Sequence, residues 1–178
     1  MRAALVAALT LAACGNDGDN GMGPGQGQFE ADVSGGVTAS FTGTAFHGEA
    51  TDPNTQDEGW VLVLSSGDPN NLNSVFVVRL AGRPGTGTYA LIDVSTSGDL
   101  DDGDWAAIVT VSVGGQLTYF AASVSGSVTI TSSSGERVRG TFTMQVTGQD
   151  PSNPQQMANA TVTGAFDATS STVGFPGI

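Results

Sequence analysis

The chain has 178 residues, with 17 acidic side chains against five basic ones and a formal net charge of −12 at pH 7. It contains no lysine, so it lacks the clustered cations that a nucleic-acid backbone requires, and its composition argues against nucleic acid as a partner. The length suits one domain and a tether, and roughly 150 residues are enough to form a core without disulfides or metals.

The N-terminal residues have the pattern of a secretion signal. Arg2 is followed by an apolar run from Ala3 to Ala13 that is too short for a transmembrane helix. Leu11-Ala12-Ala13-Cys14 resembles the lipobox of bacterial lipoproteins, which implies cleavage between Ala13 and Cys14 and attachment of a diacylglyceryl group to the sulfur. Cys14 is the only cysteine, so it forms no internal disulfide. The alternatives are an ordinary cleaved signal peptide and an apolar start with a chance cysteine.

The lipobox resemblance predicts a location as well as an anchor. Residues 1–13 are then a lipoprotein signal peptide, and membrane lipid is a partner through Cys14, carrying palmitate-type chains. Gly15 takes the place of the aspartate that often retains such proteins in the inner membrane, so we expect the outer membrane, facing the periplasm or the surface. Residues 14–28 have almost no apolar content and predict a flexible, Gly-rich tether.

Residues 29–178 alternate apolar and polar side chains, which is typical of strands with one buried face. Phe29 begins this pattern. Two segments, 59–64 and 74–80, are apolar on both faces and predict central strands. The phase of the alternation puts Trp60, Trp105 and Tyr119 in the core.

Two hairpins follow in the second half of the domain. Gly114-Gly115 joins strands 105–113 and 116–124, where two glycines suit a tight turn. A second hairpin joins 127–131 to 138–146. A polar loop over 149–156 leads to a last strand over 160–168. With no helical periodicity in these residues, the chain predicts an all-β fold, an antiparallel β-sandwich of about nine or ten strands, with a β-barrel as the alternative.

Four strand-and-turn segments are similar, in order and spacing, to uncharacterised bacterial lipoproteins with an all-β ectodomain. They are Thr86–Tyr89, Ser125–Thr131, Val138–Met144 and Val162–Asp167. The resemblance implies a β-sandwich and carries no catalytic residue across.

The side chains for nucleophilic catalysis are sparse, so we predict that the domain is not an enzyme. The one thiol belongs to the anchor, and His47, the single histidine, is predicted at a strand end in a structural or exposed position. The alternative is a glycoside hydrolase that uses Glu49, Asp57 or Glu58 as paired carboxylates.

The densest cluster of carboxylates lies just before Trp105, at Asp99, Asp101, Asp102 and Asp104. Oxygen ligands at this density suit Ca²⁺, although the spacing does not match an EF-hand loop. A solvated acidic turn is the alternative, because Asp and Gly favour turns. No other cofactor is expected.

The sequence thus predicts a lipid-anchored protein of the bacterial cell envelope with a non-catalytic ectodomain that serves in binding or structural interaction. The alternative is a carbohydrate- or calcium-binding module that uses loops Thr51–Gly59 and Ser97–Asp104. A surface glycan or a protein is the class of partner that these loops would meet. The residues assign no specific ligand.

Overall fold

The computed structural model describes residues 23–51, 58–67, 73–94, 100–113, 116–150 and 153–172. This part of the chain contains strands and no helix. The strands are β1 (Gln28–Gly35), β2 (Ala39–Thr51), β3 (Glu58–Ser65), β4 (Ser74–Arg79), β5 (Gly87–Ala90), β6 (Trp105–Val113), β7 (Gln116–Ser133), β8 (Arg137–Asp150) and β9 (Asn153–Ser170).

All nine strands belong to one sheet, in the order β5-β7-β6-β4-β3-β2-β1-β9-β8. A further antiparallel pairing between β7 and β8 joins the two sides of this sheet. Every strand except β5 therefore lies in a closed ring of hydrogen bonds. The predicted all-β, antiparallel architecture and strand number are confirmed, and the walls on opposite sides of the core are continuous with each other.

The core fills the inside of this ring with side chains from alternate positions of the strands. Phe29, Ala31 and Val33 face inward from β1, as the alternation predicted. Trp60, Trp105 and Tyr119 are buried as predicted. The central strands β3, β4 and β6 are neighbours in the sheet, and their outward-facing Val61, Val78 and Ala106 are buried too. This explains why segments 59–64 and 74–80 are apolar on both faces.

Strand β7 is one bent strand, so the prediction of two separate strands, 116–124 and 127–131, is wrong. Its register against β8 shifts between Ser123 and Ser125, which is a β-bulge, and Gly126 has φ +128°. A Cβ at Gly126 would stand 2.3 Å from the Thr143 carbonyl oxygen, so the close approach of β8 requires glycine. A glycine that in sequence suggests a turn therefore marks a bend within one strand.

The bend opens a gap between β6 and β7 that residues 87–94 fill. β5 pairs with the second half of β7, and the Ile92 amide donates to the Trp105 carbonyl. Ser123 joins the three segments, because its buried hydroxyl accepts from the Ala107 amide (3.1 Å) and donates to the Ile92 carbonyl (3.0 Å). This inserted segment carries Tyr89, whose ring stacks on that of Trp105.

The predicted polar loop over 149–156 is much shorter in the structure. β8 continues to Asp150 and β9 begins at Asn153, because Gln149 and Met157 continue the ladder between the two strands. The turn Gly114-Gly115 and the predicted signal peptide 1–13 lie outside the described residues, as does most of the predicted 14–28 tether. Of that tether, Gly27 is tied to the sheet, since its amide donates to the Asp167 carbonyl. Within the described ranges, no helix has the length and apolar character needed to cross a membrane.

Candidate functional site: a polar cavity at one end of the ring

A cavity of about 240 Å³ opens at the end of the ring where β2 and β9 finish and β8 begins. We call this the cavity end. The side chains that line it include His47, Glu49, Trp60, Arg83, Ser170 and Ser171. It is a place where a cation, an anion, hydroxyls and an imidazole come together.

His47 lies within β2, so its predicted position at a strand end is wrong. It is paired with Leu62 of β3 and, in parallel register, with Ser170 of β9. Its side chain is 2% exposed. Two strands that approach from either side enclose it, and alternation along β2 puts Glu49 on the same face.

One hydrogen bond fixes which imidazole nitrogen carries the proton. The Trp60 indole donates from Nε1 to His47 Nδ1 at 3.4 Å. Because an indole N–H only donates, Nδ1 must accept, and a neutral ring then carries its hydrogen on Nε2. Nε2 is buried and has no hydrogen-bond partner among the described residues. His47 thus contributes an unpaired donor to the cavity.

The surroundings keep this imidazole neutral. Burial lowers the pKa of His47 below its usual 6.5, and the positive charge of Arg83 lowers this pKa further. A backbone hydrogen-bond contact with Glu136, whose geometry is too poor to satisfy Nε2, acts in the opposite direction and raises this pKa. The groups that lower the pKa dominate, so at neutral pH the ring is a neutral donor.

A row of aromatic rings supports the cavity from inside the core. Trp60 lies 6.0 Å from His47 and 5.8 Å from Trp105, centroid to centroid, and Trp105 stacks on Tyr89 at 4.5 Å. The guanidinium of Arg79 stands 5.9 Å from the Trp105 ring centroid, within cation–π range. The rings are rigid and packed, so they hold His47 Nδ1 and leave its other edge to the cavity.

All four arginines of the described residues are at the cavity end. Arg83 lines the cavity, and Arg79 is in register with Trp60. Arg137 and Arg139 both donate to the buried carboxylate of Asp167, Arg139 Nε at 2.9 Å from Oδ2. The fifth basic residue, Arg2, precedes the described part of the chain. In a chain with 17 acidic residues, this places the positive charge on one side.

This arrangement is better suited to binding than to proton transfer. A general base needs a free ring nitrogen that accepts a proton. Nδ1 already accepts from Trp60, and Nε2 holds a hydrogen. Ser170 and Ser171 supply hydroxyls near this donor. The cavity therefore offers hydrogen-bond donors and one guanidinium to an acceptor that enters it.

The predicted metal cluster is described only in part. Asp99 lies outside the described residues; Asp101, Asp102 and Asp104 form an exposed or half-buried turn. Asp104 Oδ2 accepts from the Asp101 amide at 3.0 Å. Among the described residues, no three His, Cys, Asp or Glu side chains form a group that could hold a metal ion.

The other predicted site residues have separate positions. Ala13, Cys14 and Asp57 lie outside the described residues. Glu58 is exposed at the start of β3. Glu49 alone of the proposed hydrolase carboxylates lines the cavity. Sequence reasoning missed Arg83 and the two serines, because the cavity joins segments more than 80 residues apart in the chain. The sequence signal for this cavity was the single histidine, His47, which lies two residues from buried Ala45 and so on the same face of the strand.

No family model, no curated protein and no solved structure matches the chain. The resemblance to uncharacterised bacterial lipoproteins stays a prediction. Only the residues of the cavity and the N-terminal motif therefore indicate a function.

Proposed function

We propose that this chain is a lipid-anchored protein of the bacterial cell envelope whose β domain is a non-catalytic binding module. The cavity at the end of the ring is its binding site. The observation that carries the binding role is the unpaired Nε2 of His47, a buried donor on a residue that lines the cavity.

The energetic reason is the cost of such a donor. A buried polar group without a partner costs about 1–3 kcal/mol, so natural structures leave few of them. A ligand that brings an acceptor to Nε2 offsets this cost, and residues that lower stability are typical of binding sites. Arg79 Nε, the other buried side-chain atom without a partner in the described residues, is at the same end.

The anchor is supported by the sequence Leu11-Ala12-Ala13-Cys14. Acylation of Cys14 with a diacylglyceryl group and a further chain would hold the domain on the membrane, because each buried methylene contributes about 0.8 kcal/mol. Placement in the outer membrane is the expectation from Gly15.

Metabolic labelling with a palmitate analogue tests the anchor. We expect label in the wild-type chain and in the membrane fraction, and none in Cys14→Ser. An unlabelled wild-type protein, or a mature N-terminus other than the modified cysteine, would remove the anchor from the proposal.

The non-catalytic role is tested with a broad panel of glycosides. We expect no turnover by the wild-type protein. Turnover that Glu49→Gln or Glu58→Gln abolishes would replace the binding module with the hydrolase alternative. The two variants are a matched pair, because Glu49 lines the cavity and Glu58 does not.

Calcium binding by Asp99, Asp101, Asp102 and Asp104 is the second candidate, and the density of carboxylates favours it. Calorimetry at millimolar calcium tests it directly. Binding heat that disappears in Asp101→Asn supports a metal-binding loop. The absence of binding heat would support the alternative, a solvated turn held by the hydrogen bond between Asp101 and Asp104.

A further inference from the structure

The cavity contains one charge of each sign beside its buried neutral donor. Arg83 supplies the positive charge and Glu49 the negative one, and both side chains are exposed at the rim while His47 is buried. No ion pair joins Glu49 to Arg83 among the described residues. Both charges are thus available to a ligand.

The donors favour a carboxylate. A guanidinium binds a carboxylate through two parallel N–H···O bonds, and the Nε2 hydrogen of His47 adds a third donor. A phosphate dianion is less suitable, because it would bring two negative charges next to Glu49 in a chain of net charge −12.

Glu49 calls for a positive group on the same ligand. It lies two residues from His47 on the same face of β2, and this spacing along a strand is roughly 7 Å. A short molecule with an ammonium group and a carboxylate spans that separation with one hydrogen bond at each end.

We propose, on the basis of the binding role above, that the cavity binds a small zwitterion of the amino-acid class. Its carboxylate accepts from His47 Nε2 and Arg83, and its ammonium group donates to Glu49. Hydroxyls of Ser170 and Ser171 complete the polar wall. A volume of about 240 Å³ admits a short side chain as well, since it equals that of roughly eight water molecules.

The chain's one histidine gives a direct measurement. In full-length protein purified in detergent and labelled with ¹⁵N and ¹³C at histidine, every imidazole signal comes from His47. We expect the free protein to show the tautomer with hydrogen on Nε2. Glycine at neutral pH should shift the Nε2 signal with a dissociation constant on the order of millimolar, as is typical for so small a ligand.

Acetate and methylamine test whether both charges are needed. Each carries one end of the zwitterion, and we expect each to bind at least about tenfold more weakly than glycine, because one charged hydrogen bond is lost. Acetate that binds as well as glycine would overturn the zwitterion, and so would inorganic phosphate that binds more tightly. No shift of Nε2 with glycine would overturn the site itself.

Three variants locate the contacts. Arg83→Gln should weaken glycine binding about tenfold or more, and Glu49→Gln should reduce it to the level of acetate. Arg139→Gln is the matched control: it removes an arginine at the same end that does not line the cavity, and it leaves Arg137 on Asp167. Equal loss in Arg139→Gln and Arg83→Gln would mean that net charge alone acts, which contradicts the proposal.

The outcome separates this inference from the anchor. A protein without acyl chains that still binds glycine through His47 would contradict the lipid anchor and leave the zwitterion site in place. An acylated, membrane-bound protein whose His47 signals ignore glycine would do the reverse.

Discussion

The two ends of the ring treat buried polar atoms in opposite ways. At the far end, where β7 and β9 begin, the buried hydroxyl of Tyr119 donates to the Ala158 carbonyl at 2.9 Å. At the cavity end, His47 Nε2 and Arg79 Nε are buried without partners. The far end therefore satisfies its polar atoms from within the chain, and the cavity end leaves donors for something else.

The difference shows how one sheet serves two purposes. The far end has apolar packing in which the buried Tyr119 and Ser74 hydroxyls are hydrogen-bonded, which contributes stability. The cavity end carries the aromatic row and the four described arginines. We infer that recognition belongs to the cavity end, where two buried donors without partners lower the stability that the packing would otherwise give.

The largest effect on stability is expected at the bend of β7, around Gly126. Gly126→Ala should lower the free energy of unfolding by about 3 kcal/mol or more, because φ +128° is strained for alanine and the new Cβ would overlap the Thr143 carbonyl. Urea unfolding measures it. Gly103→Ala is the matched control: Gly103 also has positive φ but open space around it, so about 1 kcal/mol is expected. Equal losses would refute the role of close strand contact.

The charged cluster at the cavity end should have the next largest effect. Asp167→Asn removes the negative charge that Arg137 and Arg139 share and one of its two acceptor oxygens, and we expect a loss of about 2 kcal/mol in unfolding free energy. Arg139→Gln should cost less, because Arg137 remains on the carboxylate. A larger loss in Arg139→Gln than in Asp167→Asn would contradict this order.

Acid should destabilise the protein through the cavity end. The folded-state pKa of His47 is lowered, so below pH 6.5 the unfolded chain binds the proton first. Stability is therefore full above pH 6.5 and falls as the pH decreases toward the folded-state pKa, by at most about 1.4 kcal/mol per pH unit for one proton. Arg83, Glu49 and the Glu136 carbonyl are the charged or polar groups around the ring. His47→Phe should flatten the unfolding profile in this window, and an unchanged slope would refute the assignment.

Alkali should act through the far end instead. Burial raises the pKa of Tyr119 above 10.0, so the unfolded chain loses its proton first as the pH rises. Stability is then lost above pH 10, and Tyr119→Phe should remove that loss while leaving the acid profile unchanged. If Tyr119→Phe altered the acid window, the two ends would not be independent.

Much of the fold follows from the alternation of residue types. Along β8, apolar residues alternate with polar ones, and the apolar Val138, Phe142, Met144 and Val146 are buried. The central position of β3 and β4 follows from segments that are apolar on both faces. The alternation of apolar and polar residues predicts which face of a strand is buried, because successive side chains point to opposite faces.

The bend of β7 and the cavity were beyond such reasoning. Gly126 reads as a turn in sequence, and only the crossing of β8 shows that the strand continues through it. The environment of His47 depends on Trp60, Arg83 and Ser170, which the ring brings together from distant segments. Such a site forms through pairing between strands that are far apart in the chain, and no local sequence pattern reveals that pairing.

The pairing of β7 with β8 has one more consequence, for self-association. Each strand of the ring has a neighbour along part or all of both its sides, and short β5 and residues 153–159 of β9 are among the described segments that are paired on one side alone. The unpaired backbone N–H and C=O groups of an edge strand can template cross-β polymers, and a closed ring of strands has fewer such groups. The connectivity of the described strands thus leaves little unpaired backbone on which another copy could add a strand.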